Sequence, residues 1–245
     1  MAWGLWFHFW LVIVTMVFGS LAIFFSFLDP SRNVSQVMAR WWGAVLVYIA
    51  GISLQVEGME HLVPGQTYVY AANHRSNFDI FVLISTLPGK FLFVAKKSLF
   101  QIPLFGQVLT RMGYISVDRS NQAAAIRSLN HATARVKAGT SMIIFPEGTR
   151  VTVGELLPFK KGVFIMAMKA GQPIVPVSIS GTRFIQPRAS LRIRPGPVKV
   201  VLSPPIFPQE FKRKEDLMAA VRQALEANYD PDFPYGPGGS PRITG

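Results

Sequence analysis

The sequence predicts an α/β fold, a central and mostly parallel sheet flanked by helices, preceded by an N-terminal apolar two-helix membrane motif. Three observations lead there. Charge is segregated: residues 1–28 and 41–56 carry no charged side chain, whereas residues 57–245 hold 35 of the 38 in the chain. Beyond residue 57, short β-rich runs alternate with runs of helical periodicity. A chain of 245 residues that is 50% hydrophobic and 16% charged has room for one core and an appendage, which excludes several domains and intrinsic disorder alike. The expected organisation is a membrane-anchoring two-helix segment over residues 1–56, an α/β domain over 57–229 and a mobile Pro/Gly-rich tail over 230–245.

Taken in order, residues 3–28 form an uncharged run of 26, roughly 39 Å as a helix and enough to cross a hydrocarbon core of about 30 Å. No Lys or Arg precedes it, and the run is too long for the core of a cleaved signal peptide. Asp29-Pro30-Ser31 breaks it. The second apolar run, 41–54, reaches about 21 Å as a helix, which suits a re-entrant or interfacial segment. Two topologies therefore remain open, a true span or a hairpin dipping into one leaflet. All five tryptophans lie in residues 1–42, and Trp3, Trp6 and Trp10 share one helical face, where indoles favour the headgroup level. Strands are expected at 67–72, 91–95, 114–117, 141–145, 174–180 and 198–202. Helices are expected at 77–87, 99–111, 122–137, 159–169 and 215–227.

The chain has no cysteine, which excludes disulfide frameworks, thiolate metal sites and a cysteine nucleophile. Its net charge of +12 favours anionic partners. The basic residues are scattered and form no nucleic-acid module, so with the apolar leader the expected partner is lipid and not nucleic acid.

Chemistry concentrates where predicted strands end. Strand 67–72 runs into Asn73-His74-Arg75-Ser76-Asn77-Phe78-Asp79. With His74 at the strand end, Ser76 as N-cap and Asp79 in the first helical turn, the carboxylate can reach the imidazole, fix its tautomer and raise the basicity of Nε2. Strand 114–117 runs into Asp118-Arg119-Ser120, and strand 141–145 into Pro146-Glu147-Gly148-Thr149-Arg150. Carboxyl ends of strands are where sites of open α/β sheets assemble. His74 has no second histidine or carboxylate at ligand spacing, so no metal site is expected.

These blocks resemble the glycerolipid acyltransferase family, in particular its bacterial 1-acyl-sn-glycerol-3-phosphate acyltransferases, over residues 57–205 and in the apolar leader. Asn73 to Asp79 is similar to the first family block, Gly113 to Arg119 to the second, Phe145 to Arg150 to the third and Ile174-Val175-Pro176-Val177 to the fourth. The resemblance implies that His74 is the base and Asp79 its orienter. Arg119 and Arg150 would bind phosphate, and Glu147, with Gly148 and Thr149, would position substrate. Lys97 matches a lysine often present before the second block and joins the expected substrate-binding set.

No G-x-S-x-G elbow and no cysteine are present, so transfer is expected to be direct, without an acyl-enzyme. The resemblance implies acylation of the sn-2 hydroxyl of lysophosphatidic acid by acyl-acyl-carrier protein or acyl-CoA, giving phosphatidic acid with no cofactor beyond the thioester. It places the protein at the cytoplasmic face of the inner membrane, with membrane lipids as partners. Backbone N–H groups near Gly148, or at the helix start after His74, are candidate oxyanion donors. A sister enzyme acting on glycerol 3-phosphate or another lysolipid is the alternative within this chemistry. A non-catalytic membrane-shaping protein and a phosphohydrolase using His74 as nucleophile are the alternatives outside it.

Overall fold

The computed structural model describes residues 2–118, 121–151 and 156–235. Two helices lead the chain, α1 (Ala2–Leu28) and α2 (Asn33–Ile49). Seven strands follow: β1 (Ile52–Glu57), β2 (Val69–Ala72), β3 (Phe91–Lys96), β4 (Ile115–Val117), β5 (Ser141–Ile144), β6 (Ile174–Ser180) and β7 (Gly196–Leu202). Between and after them come α3 (Phe78–Thr86), α4 (Phe105–Arg111), α5 (Gln122–Lys137), α6 (Lys161–Ala170), α7 (Thr182–Ile185) and α8 (Lys214–Asn228). The strands form one sheet in the order β1-β7-β6-β2-β5-β3-β4. Every neighbouring pair is parallel except β6 with β7.

Central strands β2, β5 and β6 are buried at every residue, which is why they read as continuous apolar runs and not as alternating ones. Helices α1 to α4 pack together as one group, and α5, α6 and α8 as another. The expected helix 99–111 is split. A 3₁₀ turn (Lys97–Gln101) precedes α4, and Leu104 between them has φ 61°, a left-handed conformation that no continuous helix accommodates.

The leader differs most from expectation. The second helix starts at Asn33 and ends at Ile49, and Ile52–Glu57 is a strand paired with β7, so a boundary at residue 56 cuts through the sheet. β1 was missed because its burial is one-sided and its residues continue the apolar run of α2. The leader is also packed into the core. Phe7, Val14, Leu46, Val47 and Ala50 lie in one cluster with the sheet residues, and the Phe7 ring packs at a tilt against Phe78 of α3, centroids 5.0 Å apart. Ser35 Oγ donates to the Ala22 carbonyl at 3.1 Å and Trp42 Nε1 to Thr15 Oγ1 at 3.0 Å, which makes α1 and α2 an antiparallel hairpin. Asp29 closes the turn by accepting the N–H groups of Ser31 and Val34, both at 2.9 Å.

The expected mobile tail also needs correction over its first part. Asp230 N–H donates to Ser180 Oγ, Asp232 pairs with Arg183 at 3.0 Å, and Tyr235 meets Phe184 edge to face at 5.0 Å. Aromatic and acidic side chains among the prolines give this stretch contacts that composition alone conceals. Residues 236–245 lie outside the described residues.

Candidate active site

β2 and β5 are neighbours in register, Ala71 beside Ile144, so their carboxyl ends deliver His74 and the segment after Phe145 to one place. Asn73 fixes the end of β2 to β6: its Nδ2 donates to the Ile179 carbonyl at 2.8 Å and its Oδ1 accepts the Ile179 N–H at 2.7 Å. The chain then turns into α3, where Asp79 occupies the first turn and Asn77, not Ser76, is the N-cap. Ser76 serves the turn differently, with its Oγ accepting from Phe78 N and donating to the Gln186 carbonyl.

His74 and Asp79 meet as the sequence requires. Nδ1 lies 2.8 Å from Asp79 Oδ2, an arrangement in which Nδ1–H donates and Nε2 is left to accept a proton. The same Oδ2 accepts the N–H groups of Arg75 at 2.7 Å and Ser76 at 2.8 Å, while Oδ1 accepts a short hydrogen bond from Thr182 Oγ1. Asp79 is fully buried and His74 is 13% exposed. The imidazole stacks on Phe145, centroids 3.9 Å apart and planes 14° apart, so its rotation is blocked from one face.

Glu147 stands off the cavity wall, against the main chain of His74. It is 1% exposed and receives His74 N–H at 3.1 Å and Leu157 N–H at 2.9 Å, with Arg75 Nη1 on both oxygens at 3.1 and 2.9 Å. Its contacts are thus with the His74 backbone, Arg75 and Leu157, and it is not on the cavity wall where a substrate-positioning group was expected. Burial pulls the Arg75 guanidinium down, but the facing Tyr229 phenol and Glu147 outweigh it and hold it above the ordinary arginine value. Tyr229 is half-buried, and desolvation raises the pKa of its phenol.

The oxyanion candidates also change. The N–H groups of Arg75 and Ser76 point at Asp79, and that of Gly148, at φ 72°, donates to the Phe145 carbonyl at 2.9 Å. Lys97 is 62% exposed and faces Asp118 at 3.3 Å; its neighbour Lys96 is the lysine on the cavity wall. Arg119 lies outside the described residues. Arg150 and Thr149 line the same cavity as His74, and Arg150 Nη1 donates to Asn77 Oδ1 at 2.6 Å.

His74, Asn77, Thr149, Arg150 and Lys96 border a cavity of about 540 Å³. Its remaining wall is mostly apolar, built by α1 and α2 (Phe18, Ala22, Trp42), α3 and α4 (Ile84, Val108) and Phe93 of β3, with Thr15 and Tyr114 adding hydroxyls. Among the described residues no group of three or more His, Cys, Asp or Glu could hold a metal ion.

Sequence reasoning missed Thr182, Asn77, Tyr229 and Lys96. Asn77 lies inside the first motif block and Thr182 two residues past β6, so nearness to the motifs was the available signal; Tyr229 offered none.

A mostly parallel α/β sheet thus carries a His–Asp pair beside a largely apolar cavity that Arg150 also lines. The chain belongs to the acyltransferase family, whose model matches residues 53–180. Among curated relatives, the 1-acyl-sn-glycerol-3-phosphate acyltransferase of Cocos nucifera is 39% identical over 174 residues, covering 71% of this chain and 56% of its own. The alpha form from Homo sapiens is 33% identical over 190 residues, covering 77% and 67%. The chain spans little more than half the length of the first plant relatives it matches. Among solved structures, the 1-acyl-sn-glycerophosphate acyltransferase PlsC of Thermotoga maritima superposes with a TM-score of 0.81 at 28% identity, over 92% of each chain.

Proposed function

We propose that this protein transfers an acyl group from acyl-acyl-carrier protein or acyl-CoA to the sn-2 hydroxyl of 1-acyl-glycerol-3-phosphate, forming phosphatidic acid. The observation that carries it is the His74–Asp79 pair, 2.8 Å apart, beside a largely apolar cavity that Arg150 also lines. His74 Nε2 takes the proton of the attacking hydroxyl as its oxygen bonds to the thioester carbonyl carbon. The C–S bond then breaks and the proton passes to the departing thiolate. Asp79 stabilises the imidazolium that forms in between. The carbonyl must stand beside His74, so the donor's acyl chain extends into the cavity, whose volume is in the range that buries a drug-sized ligand, about 300–1,000 Å³. Arg150, with Arg119 and Lys96, offers cationic donors to the phosphate, guanidinium matching its oxygens best. No cofactor beyond the thioester is needed.

The leader supports reading the substrate as lipid. Among the described residues one helix, Trp3–Leu28, is long and apolar enough to cross a membrane, with only 17% of its most apolar window buried. Yet α1 touches the domain from Phe7 on Phe78, past Gly19 beside Leu104, to Phe27 under the Arg111 guanidinium at 3.8 Å. Contacts spread along α1 favour a helix held against the domain over a lone span. Its exposed face, including Leu5, Phe9, Val12, Met16 and Phe24, suits one leaflet of the inner membrane, with the catalytic domain on the cytoplasmic side.

The test supplies the purified protein with lysophosphatidate, glycerol 3-phosphate and other lysolipids, each with both thioester types, and reads products by lipid mass spectrometry and free thiol by colour. Phosphatidic acid with equimolar thiol is expected. Release of inorganic phosphate, or transfer only to glycerol 3-phosphate, overturns the assignment.

A further inference from the structure

We propose that Tyr229 is a positioning residue for the His74–Asp79 pair, acting from a C-terminal strap through Arg75 and Glu147; this rests on the reading of His74 as the acyl-transfer base. Tyr229 lies at the end of α8, outside the residues 53–180 that the family model matches. Its hydroxyl accepts from Arg75 Nε at 2.9 Å, and the guanidinium carbon lies 5.1 Å from its ring centroid. Arg75 in turn holds both oxygens of Glu147, and Glu147 Oε1 holds the His74 N–H. Nη1 also donates to the His74 carbonyl at 3.3 Å, so the guanidinium already lies against the main chain of the base. The Tyr229 acceptor at Nε adds an attachment on a second edge and helps to set its plane, and with it the carboxylate that seats the base.

The second partner of the pair is reached from the same segment. Asp230 N–H binds Ser180 Oγ and Asp232 pairs with Arg183. Ser180 and Arg183 bracket Thr182, the residue that donates to Asp79 Oδ1. The strap thus grips both routes into the dyad, to His74 through Glu147 and to Asp79 through Thr182. The Arg75–Glu147 pair carries the first of these routes, and among the described residues Arg75 is the largest of the fully buried side chains.

The discriminating variant is Tyr229→Phe in the full-length protein, which keeps the ring over Arg75 and removes the acceptor. At a temperature well below each variant's unfolding midpoint, kcat per folded molecule should fall about tenfold with KM for lysophosphatidate and thioester within about twofold, since a misplaced base costs turnover rather than binding. Arg75→Lys lacks Nε, so Tyr229→Phe on that background should cost nothing further. Independently of activity, hydrogen exchange of the peptide carrying the His74 amide should accelerate in Tyr229→Phe. Wild-type kcat in Tyr229→Phe, losses that multiply with Arg75→Lys, or unchanged exchange each overturn the proposal. Tyr229→Leu separates packing: a purely structural role predicts lower unfolding midpoints with unaltered kcat per folded molecule in both variants. A wild-type protein inactive with every lysolipid and thioester instead overturns the acyl-transfer reading itself.

Discussion

Glu147 Oε1 lies 3.1 Å from the backbone nitrogen of His74, and the same carboxylate binds the Arg75 guanidinium through both oxygens. The main chain of the base is thereby anchored to an ion pair that is 2% exposed on one side and fully buried on the other. Such a pair contributes little net stability, because desolvation offsets its attraction, but losing one partner strands a buried charge.

Glu147→Ala should therefore destabilise the fold by about 3–5 kcal/mol, read from thermal or denaturant unfolding in detergent. Glu147→Gln keeps the shape and an acceptor for His74 N–H; it should fold, with kcat reduced and KM for lysophosphatidate little changed. A Glu147→Gln variant whose main defect is a raised KM would return this residue to the substrate-contacting set.

His74→Ala should lower turnover by about 10²–10⁴-fold with folding intact. Asp79→Asn is more informative. Three donors converge on Oδ2, so an amide at position 79 places its oxygen there and turns its NH₂ toward Thr182, whose hydroxyl can accept. The tautomer of His74 is then kept and only the stabilising charge is lost. The loss should stay nearer 10²-fold than the roughly 10⁴-fold seen when an amide enforces the wrong tautomer. Steady-state rates of the two variants decide the matter.

The dyad and the strand ends were legible because they depend on local spacing: His74 and Asp79 are five residues apart and need only one turn to meet. Lys97 misled because a Lys-Lys pair at a strand end puts its members on opposite sides, and only the sheet decides which faces the cavity. β1 was hidden by apolar continuity with α2. Its identity as a strand comes from β7, which lies 144 residues later in register with it, Ile52 opposite Gly196. Tyr229 was out of reach for the same reason, since its partner Arg75 is 154 residues away.

The cavity makes a size prediction. Ala22, on α1, is 5% exposed and lines its wall, so Ala22→Leu adds bulk inside the apolar space. If the donor chain lies there, preference should move to shorter acyl donors, by about 10-fold or more against the longest accepted chain, with the acceptor's own chain preference unchanged. A shift confined to the acceptor's chain would assign the cavity to the lysolipid instead.

Asp29 gives a pH prediction at the hairpin turn. Its carboxyl is held below the ordinary 3.8 by the Ser31 hydroxyl first and then by the Val34 N–H. A carboxylate with a depressed folded-state pKa stabilises above its unfolded value, and that contribution is lost as pH falls through the folded one. The unfolding midpoint of wild type should thus exceed that of Asp29→Asn at neutral pH, and the gap should close below about pH 4. A gap independent of pH would mean that shape, not charge, holds the turn.

The last prediction concerns the leader, which earns its place twice, as membrane contact and as core. Deleting residues 1–56 removes Phe7, Val14, Leu46 and Val47 from the shared cluster and nearly all of β1 from the edge of the sheet. At about 1.5–3 kcal/mol for each large apolar side chain withdrawn from the core, the truncated chain should fail to fold and report nothing about membranes. The informative change leaves the packed face alone. Leu5, Phe9, Val12 and Met16 are all more than half exposed and follow one helical face. Replacing all four with Gln should keep the unfolding midpoint and the activity on detergent-dispersed lysophosphatidate. Vesicle cosedimentation should weaken and become sensitive to salt, since the remaining attraction is that of a basic domain for anionic lipid, screened over about 8–10 Å. Activity on vesicle-embedded substrate should fall much further than activity in detergent. If binding and both activities survive the four substitutions, the exposed face of α1 is not what meets the bilayer.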